Sequence, residues 1–165
     1  MTMTSLSRQD VRDQTVALLN DTIYHALGLK ETLEEERKAL EVQDMDQISA
    51  TVDTKSACVQ ALMSLDRQRI ELCTAYGFPP GPEQMPQLID WCDESDLIKT
   101  RWDHLMVIAA ESSAMNMTNG AIIRVRQQQF ESSLSLLRGV VPGFNTYGRH
   151  GGDTVDLGRQ SLAEA

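Results

Sequence analysis

Basic charge is what this 165-residue chain most conspicuously lacks: 15 Lys and Arg stand against 24 Asp and Glu, for a formal net charge of −9. A surface of that sign repels phosphate, so nucleic acid and anionic membrane are excluded as non-specific partners. No apolar run approaches the roughly 18 to 20 residues needed to cross a bilayer. The amino-terminal MTMTSLSRQD has no basic stretch followed by an apolar core, the mark of a secretory leader. A cytoplasmic location without membrane insertion is the resulting expectation. Cysteine is scarce too. Cys58, Cys73 and Cys92 are spaced as neither a zinc knuckle nor a redox pair, and read as three reduced thiols.

Catalytic patterns are equally missing. No Gly-rich phosphate loop joins a strand to a helix, because Gly148, Gly151 and Gly152 follow no strand. No E-x-x-H pair of the kind that binds iron inside helical bundles is present, and the carboxylates at Asp93, Glu94 and Asp96 read as solvated or capping groups. His25 invites comparison with histidine phosphotransfer domains, in which Lys and Gly follow the reactive His by three and four residues. Here the order is reversed, with Gly28 first and Lys30 after it, and Lys30 falls on an apolar seam. No catalytic residue, metal or cofactor is therefore expected. A phosphotransfer domain is the enzymatic alternative.

What is present is helical periodicity. Val16, Leu19, Ile23, Ala26, Lys30, Leu33, Arg37 and Leu40 step by three and four, six of the eight being apolar, as in one long amphipathic helix. The run Glu34 to Glu36 reads as its solvated face. Asp44, with Gln47 three residues on, predicts a new helix start. A second seam then passes through Ile48, Val52, Lys55, Val59, Leu62, Leu65, Arg69, Leu72 and Tyr76. It stops at Gly77 and the prolines that follow, since Gly accepts a left-handed cap and Pro cannot continue the hydrogen-bond ladder.

Residues 77–93 form a proline-rich connection with room for one short helix whose Leu88 and Trp91 dock on the bundle. A third long seam runs through Leu97, Trp102, Leu105, Ala109, Ser112, Asn116, Asn119, Ile123, Arg126, Phe130, Ser133 and Leu137. Asn119-Gly120 before AIIRV would suggest a hairpin, yet the helical spacing continues on both sides. Gly inside a helix costs about 1 kcal/mol relative to Ala, so Gly120 predicts either tight helix packing or the approach of a partner. The expected architecture is all-α: long antiparallel helices in a coiled-coil-like bundle of three or four, over about 8–43, 46–76, 86–92 and 94–138. Residues 139–165, which hold six of the ten Gly, are expected as a mobile tail.

An acidic, aromatic-poor helical chain without an active site fits an interaction protein. Its long N-terminal helix, Lys55, the Asn116-x-x-Asn119-Gly120-x-x-Ile123 element, Leu136-Leu137-Arg138-Gly139 and Thr146-Tyr147-Gly148 together resemble the FlgN family of flagellar export chaperones. The resemblance implies a non-catalytic role. Such chaperones bind the C-terminal amphipathic helices of hook-associated junction proteins, prevent premature assembly and deliver them to the type III export gate. Carried onto this chain, it assigns client contact to Ile122, Ile123, Phe130, Leu134 and Leu137, with Asn116 and Asn119 fixing register and Gly120 permitting close approach. Gate docking falls to Tyr147 and Gly148. A generic helical adaptor or another secretion chaperone is the non-catalytic alternative, and heptad seams leave both a monomer and a homodimer open.

Overall fold

The computed structural model describes residues 7–138, all of whose regular elements are helices. Helix α1 spans Arg8–Val42 and opens on a reciprocal cap. The Ser7 hydroxyl accepts the Asp10 N–H at 3.2 Å and the Asp10 carboxylate accepts the Ser7 N–H at 2.8 Å, so two otherwise orphaned donors are satisfied. It closes on Gln43 in the left-handed conformation (φ 61°), whose N–H reaches back to the carbonyls of Ala39 and Leu40. Asp44 then caps α2, Met45–Ala75, by accepting the Gln47 N–H at 3.0 Å. Left-handed Gly77 (φ 87°) ends the turn after α2.

Helix α3, Gln84–Cys92, is short because prolines stand before and within its first turn. Helix α4, Leu97–Leu137, begins three residues later than the periodicity predicts. The Asp93 carboxylate accepts the N–H groups of Leu97 and Lys99 at 3.1 and 2.9 Å, and Asp96 adopts a left-handed backbone (φ 57°). The chain is thereby turned before the helix can start. Asn119 and Gly120 lie inside α4 with no break, so the hairpin alternative does not form.

Side-chain pairings give the topology. Lys55 meets Glu36 and Leu72 lies beside Leu18, so α2 returns antiparallel to α1. Arg101 donates to Asn20 at 2.7 Å, Lys30 to Glu111 at 2.7 Å and Asn119 to Glu36 at 2.8 Å, so α4 runs parallel to α1. The connection through α3 lies at the end where α1 began, to which α2 has returned the chain, and there Arg12 donates to Ser95 at 2.6 Å.

The main hydrophobic core sits at that end. Val11, Leu19 and Ala26 of α1, Cys73 of α2, Met85, Leu88, Ile89 and Cys92 of α3, and Ile98, Leu105 and Ile108 of α4 form one buried cluster. Trp91 closes it, 6.1 Å from the Tyr76 ring and 5.8 Å from Phe78, with the Arg8 guanidinium 5.1 Å above. Gln84 is buried at the edge and fully used: its amide donates to the Phe78 carbonyl at 2.9 Å and its oxygen accepts from Arg69 at 3.1 Å. The short helix is thus wired to the end of α2 by hydrogen bonds as well as by packing.

The chain divides into two compact units, of which residues 7–127 and 128–138 are described. The second consists of the last turns of α4. There the hydroxyls of Ser132, Ser133 and Ser135 donate to backbone carbonyls four residues earlier, at 2.8 to 3.0 Å. Residues 139–165, expected as a tail, lie outside the described residues.

Candidate functional site

Charged and polar residues that interrupt the apolar seams are brought together along α1. Asn119 is 1% exposed. Its amide donates to the Leu33 carbonyl at 2.9 Å and to Glu36 Oε2 at 2.8 Å, and its oxygen accepts from Arg37 Nε at 3.4 Å. Glu36 is 3% exposed and takes both carboxylate contacts of Lys55 Nζ at 3.2 Å. One carboxylate therefore joins α1, α2 and α4.

This corrects the reading of Glu34 to Glu36 as a uniformly solvated face: Glu34 and Glu35 are exposed, but Glu36 turns inward. Burial of an ionised carboxylate is tolerated only with charge-assisted partners, and here Lys55 and Asn119 supply them. The seam positions Lys55, Arg37 and Asn119 carried that signal. Its acidic partner was hidden in a run of three identical residues.

The predicted client-contact residues fall into distinct settings. Asn116 is exposed and free to meet a partner, whereas Asn119 spends its side chain inside the fold. Among the described residues a Cβ at Gly120 would meet only Arg124 Nη1 at 3.7 Å, an ordinary contact, so none of the four helices packs into the space the glycine leaves. Ile122, Ile123 and Leu134 are half-buried, Phe130 is 65% exposed and Leu137 84%. Tyr147 and Gly148 lie outside the described residues.

Position along α4 relates these residues to the core. Ile98, Leu105, Ile108, Ser112 and Asn119 are its buried residues, spaced by three, four or seven. Ile123 continues that spacing in the first unit, where the face is packed from Ile98 to Asn119 and half-buried at Ile123. In the second unit Phe130, Leu134 and Leu137 step by four and three, Leu134 half-buried and the other two exposed.

A second feature, with no counterpart in the sequence reading, is a cavity of about 290 Å³ between the three long helices. Ala26, Leu29 and Leu33 of α1 floor it, Val59 and Leu62 of α2 form one wall, and Ala109, Ser112 and Asn116 of α4 form the other. Among the described residues no hydrogen bond or ion pair joins α2 directly to α4, while the Arg69 guanidinium of α2 stacks 5.7 Å over the Trp102 ring of α4 and Cys73 shares the main core with Ile98 and Leu105. Ser112 contributes to the lining, but its hydroxyl has no access to solvent and is buried without a hydrogen-bond partner.

Titratable groups carry little else. Burial pushes the Cys73 and Cys92 thiols above their ordinary range, and the Lys30 ammonium is raised by its hydrogen bond to Glu111. Lys30 is thus engaged with α4 rather than with His25, whose ring packs edge-on against Tyr24 at 5.3 Å. Among the described residues no group of three or more His, Cys, Asp or Glu is placed to hold a metal ion, and no helix is long and apolar enough to cross a membrane.

Comparison with known proteins agrees with this geometry. No curated protein and no solved structure matches the chain significantly. A family model does, that of the FlgN protein, over residues 11–154. That match takes in α1 through α4 almost entire, together with the polar layer around Asn119 and the Thr146-Tyr147-Gly148 segment. The chain belongs to the FlgN family of flagellar export chaperones.

Proposed function

We propose that this protein is a cytoplasmic, non-catalytic chaperone for hook-associated junction proteins, holding their C-terminal amphipathic helices and delivering them to the type III export gate. The observation that carries the reading is the apolar run in the last turns of α4: Phe130, Leu134 and Leu137 step by four and three, with Phe130 and Leu137 exposed and Leu134 half-buried. An apolar stripe of this kind suits recognition of an amphipathic helix. A client whose terminal helices polymerise outside the cell carries a matching stripe, and covering it keeps the client soluble and unassembled.

In this reading Ile122, Ile123, Phe130, Leu134 and Leu137 supply apolar contact. Asn116, exposed beside them, sets register, and Gly120 leaves room for the client backbone. Asn119 acts one step back, by fastening α4 to α1. Reversible holding calls for micromolar to nanomolar affinity, about −8 to −12 kcal/mol. Tyr147 and Gly148 are assigned to the export gate, so that client and gate engage separate segments.

Calorimetry with a peptide spanning the C-terminal helix of a hook-associated protein tests the client assignment. Phe130→Ala should weaken binding by about 2 kcal/mol, roughly thirty-fold. Unchanged affinity would remove Phe130 from the interface, and no binding by the wild-type chain would remove the client class. For the gate, Tyr147→Ala should abolish pull-down of the gate's cytoplasmic domain; equal recovery would discard that role.

A further inference from the structure

We infer that the cleft between the first turns of α1 and the end of α3 is a carboxylate-binding site, in which the Arg8 and Arg12 guanidinium groups hold one Asp or Glu side chain of a partner segment. This site lies in the three-helix region beside the main core and is independent of the α4 stripe. Arg8, Gln9 and Arg12 of α1 line it on one side and Cys92 and Glu94 on the other, around about 200 Å³.

The two arginines stand four residues apart, one turn above the other on a single helix face. Among the described residues neither forms an ion pair, in a chain that sets 24 acidic side chains against 15 basic ones. The neighbouring carboxylates are committed elsewhere. Asp10 serves the Ser7 N–H and hydroxyl, Asp13 accepts from the Gln9 amide, and Asp93 accepts from the N–H groups of Leu97 and Lys99. Glu94 is exposed at the rim and bonds to neither arginine. Two cations therefore face one cleft without a counter-ion. Burial and Asp93 raise the Cys92 thiol, while Arg12 and Arg8 both oppose that shift, as expected if their charges project into the same space.

Both side chains are already ordered. Arg12 donates from Nη2 to the Ser95 hydroxyl at 2.6 Å, and the Arg8 guanidinium stands 5.1 Å over the Trp91 ring. A ligand thus costs them little rotamer freedom. Arg12 Nε has no access to solvent and no partner, so a ligand meets Arg12 along its Nη edge, where Nη1 is unpaired among the described residues. Size and charge then select the ligand. The cleft is smaller than the roughly 300 Å³ at which small-molecule pockets begin, so it takes one functional group on a short stem. A net charge of −9 favours a monoanion over the dianion of a phosphate group. A carboxylate satisfies both conditions, and its two oxygens match planar guanidinium donors.

The full chain carries its own reporters, because its two tryptophans are Trp91, beneath Arg8, and Trp102, beneath Arg69. Their indole N–H signals can be followed by NMR during titration, at constant ionic strength, with N-acetyl-glutamate α-amide, a glutamate whose backbone ends are blocked. The Trp91 signal should shift to saturation, the Trp102 signal should stay, and the matching glutamine compound should move neither. Arg8→Gln and Arg12→Gln should each weaken binding about tenfold, and Arg12→Lys about fivefold, since it keeps the charge and loses the planar edge. Glu94→Gln should strengthen it about twofold by removing a like charge from the rim. Arg8 and Glu94 are exposed, so their variants should keep the wild-type circular dichroism and carry the test even if Arg12→Gln fails to fold. A Trp91 shift that never saturates, or that sodium chloride reproduces, means that the arginines are merely solvated and overturns the inference. So does affinity within twofold of wild type in both Arg8→Gln and Arg12→Lys. Tighter saturation by inorganic phosphate than by the glutamate compound would overturn the carboxylate assignment.

Discussion

Asn119 Nδ2 stands 2.8 Å from Glu36 Oε2 and 2.9 Å from the Leu33 carbonyl oxygen, two hydrogen bonds that fix the register of α4 on α1. A one-turn slip in either direction would leave the buried amide without acceptors and deprive the Glu36 carboxylate of one of its donors, Lys55 remaining as the other. The pairing therefore acts through what it forbids as much as through what it stabilises.

Replacement of Asn119 by Ala should accordingly lower stability by about 1 to 3 kcal/mol, because the buried Glu36 carboxylate loses one of its donors and the Leu33 carbonyl its second. Asn119→Asp should cost more, since it opposes two carboxylates in the same buried space. Chemical denaturation monitored at the helical band checks both, and equal midpoints for Asn119→Asp and Asn119→Ala would contradict the arrangement.

At the other end of the molecule, Leu88 has no solvent exposure and sits within the cluster that joins α3 to the long helices. Leu88→Ala should destabilise by about 2 to 5 kcal/mol through lost transfer energy and the cavity left behind. Thermal melting reads it directly.

Phe130→Ala should separate stability from binding. With 65% of the side chain open, its truncation removes little buried area. The melting temperature should change by no more than a degree or two, while client affinity falls. A matching loss of stability would show that the ring packs within the chain.

The thiols give the pH dependence. Cys73 and Cys92 are buried, which disfavours their thiolates and raises their pKa above the ordinary 9.0. A raised folded-state value means that the unfolded chain releases protons first as pH rises. Their contribution is fully present below about pH 9 and is lost above it, through the folded-state values. Denaturation midpoints should thus fall on the alkaline side, and less so in Cys73→Ala corrected for its cavity. Iodoacetamide at pH 8 should modify half-buried Cys58 well before the other two.

Much of this architecture was legible because periodicity and punctuation agree. The seams through Leu19, Leu33 and Leu105 are buried where their spacing places them, and Asp44, Gly77 and the prolines after it mark element ends within a residue or two. The start of α4 was misplaced because Asp93 captures backbone donors beyond it, a choice among neighbouring acidic residues that composition does not make.

The inward turn of Glu36 escaped for a related reason: Glu34, Glu35 and Glu36 look alike until a partner from another helix is known. The seam of α2 misled more seriously. Val52 and Val59 lie on its apolar spacing, yet they are 54% and 39% exposed. Periodicity reports which face is apolar and is silent on how many neighbours cover it.

The uneven distribution of the core has a kinetic consequence. Large apolar side chains are concentrated around α3, whereas the opposite half of the three-helix region relies on Leu33, Leu40, small residues and the hydrogen-bonded layer at Glu36. Amide exchange should follow that gradient, slowest beside Leu88 and Ile98 and fastest near the α1–α2 turn at Asp44. The bundle would then open like tongs, parting first at the Asp44 end while the jaws stay joined at α3, without the whole protein unfolding.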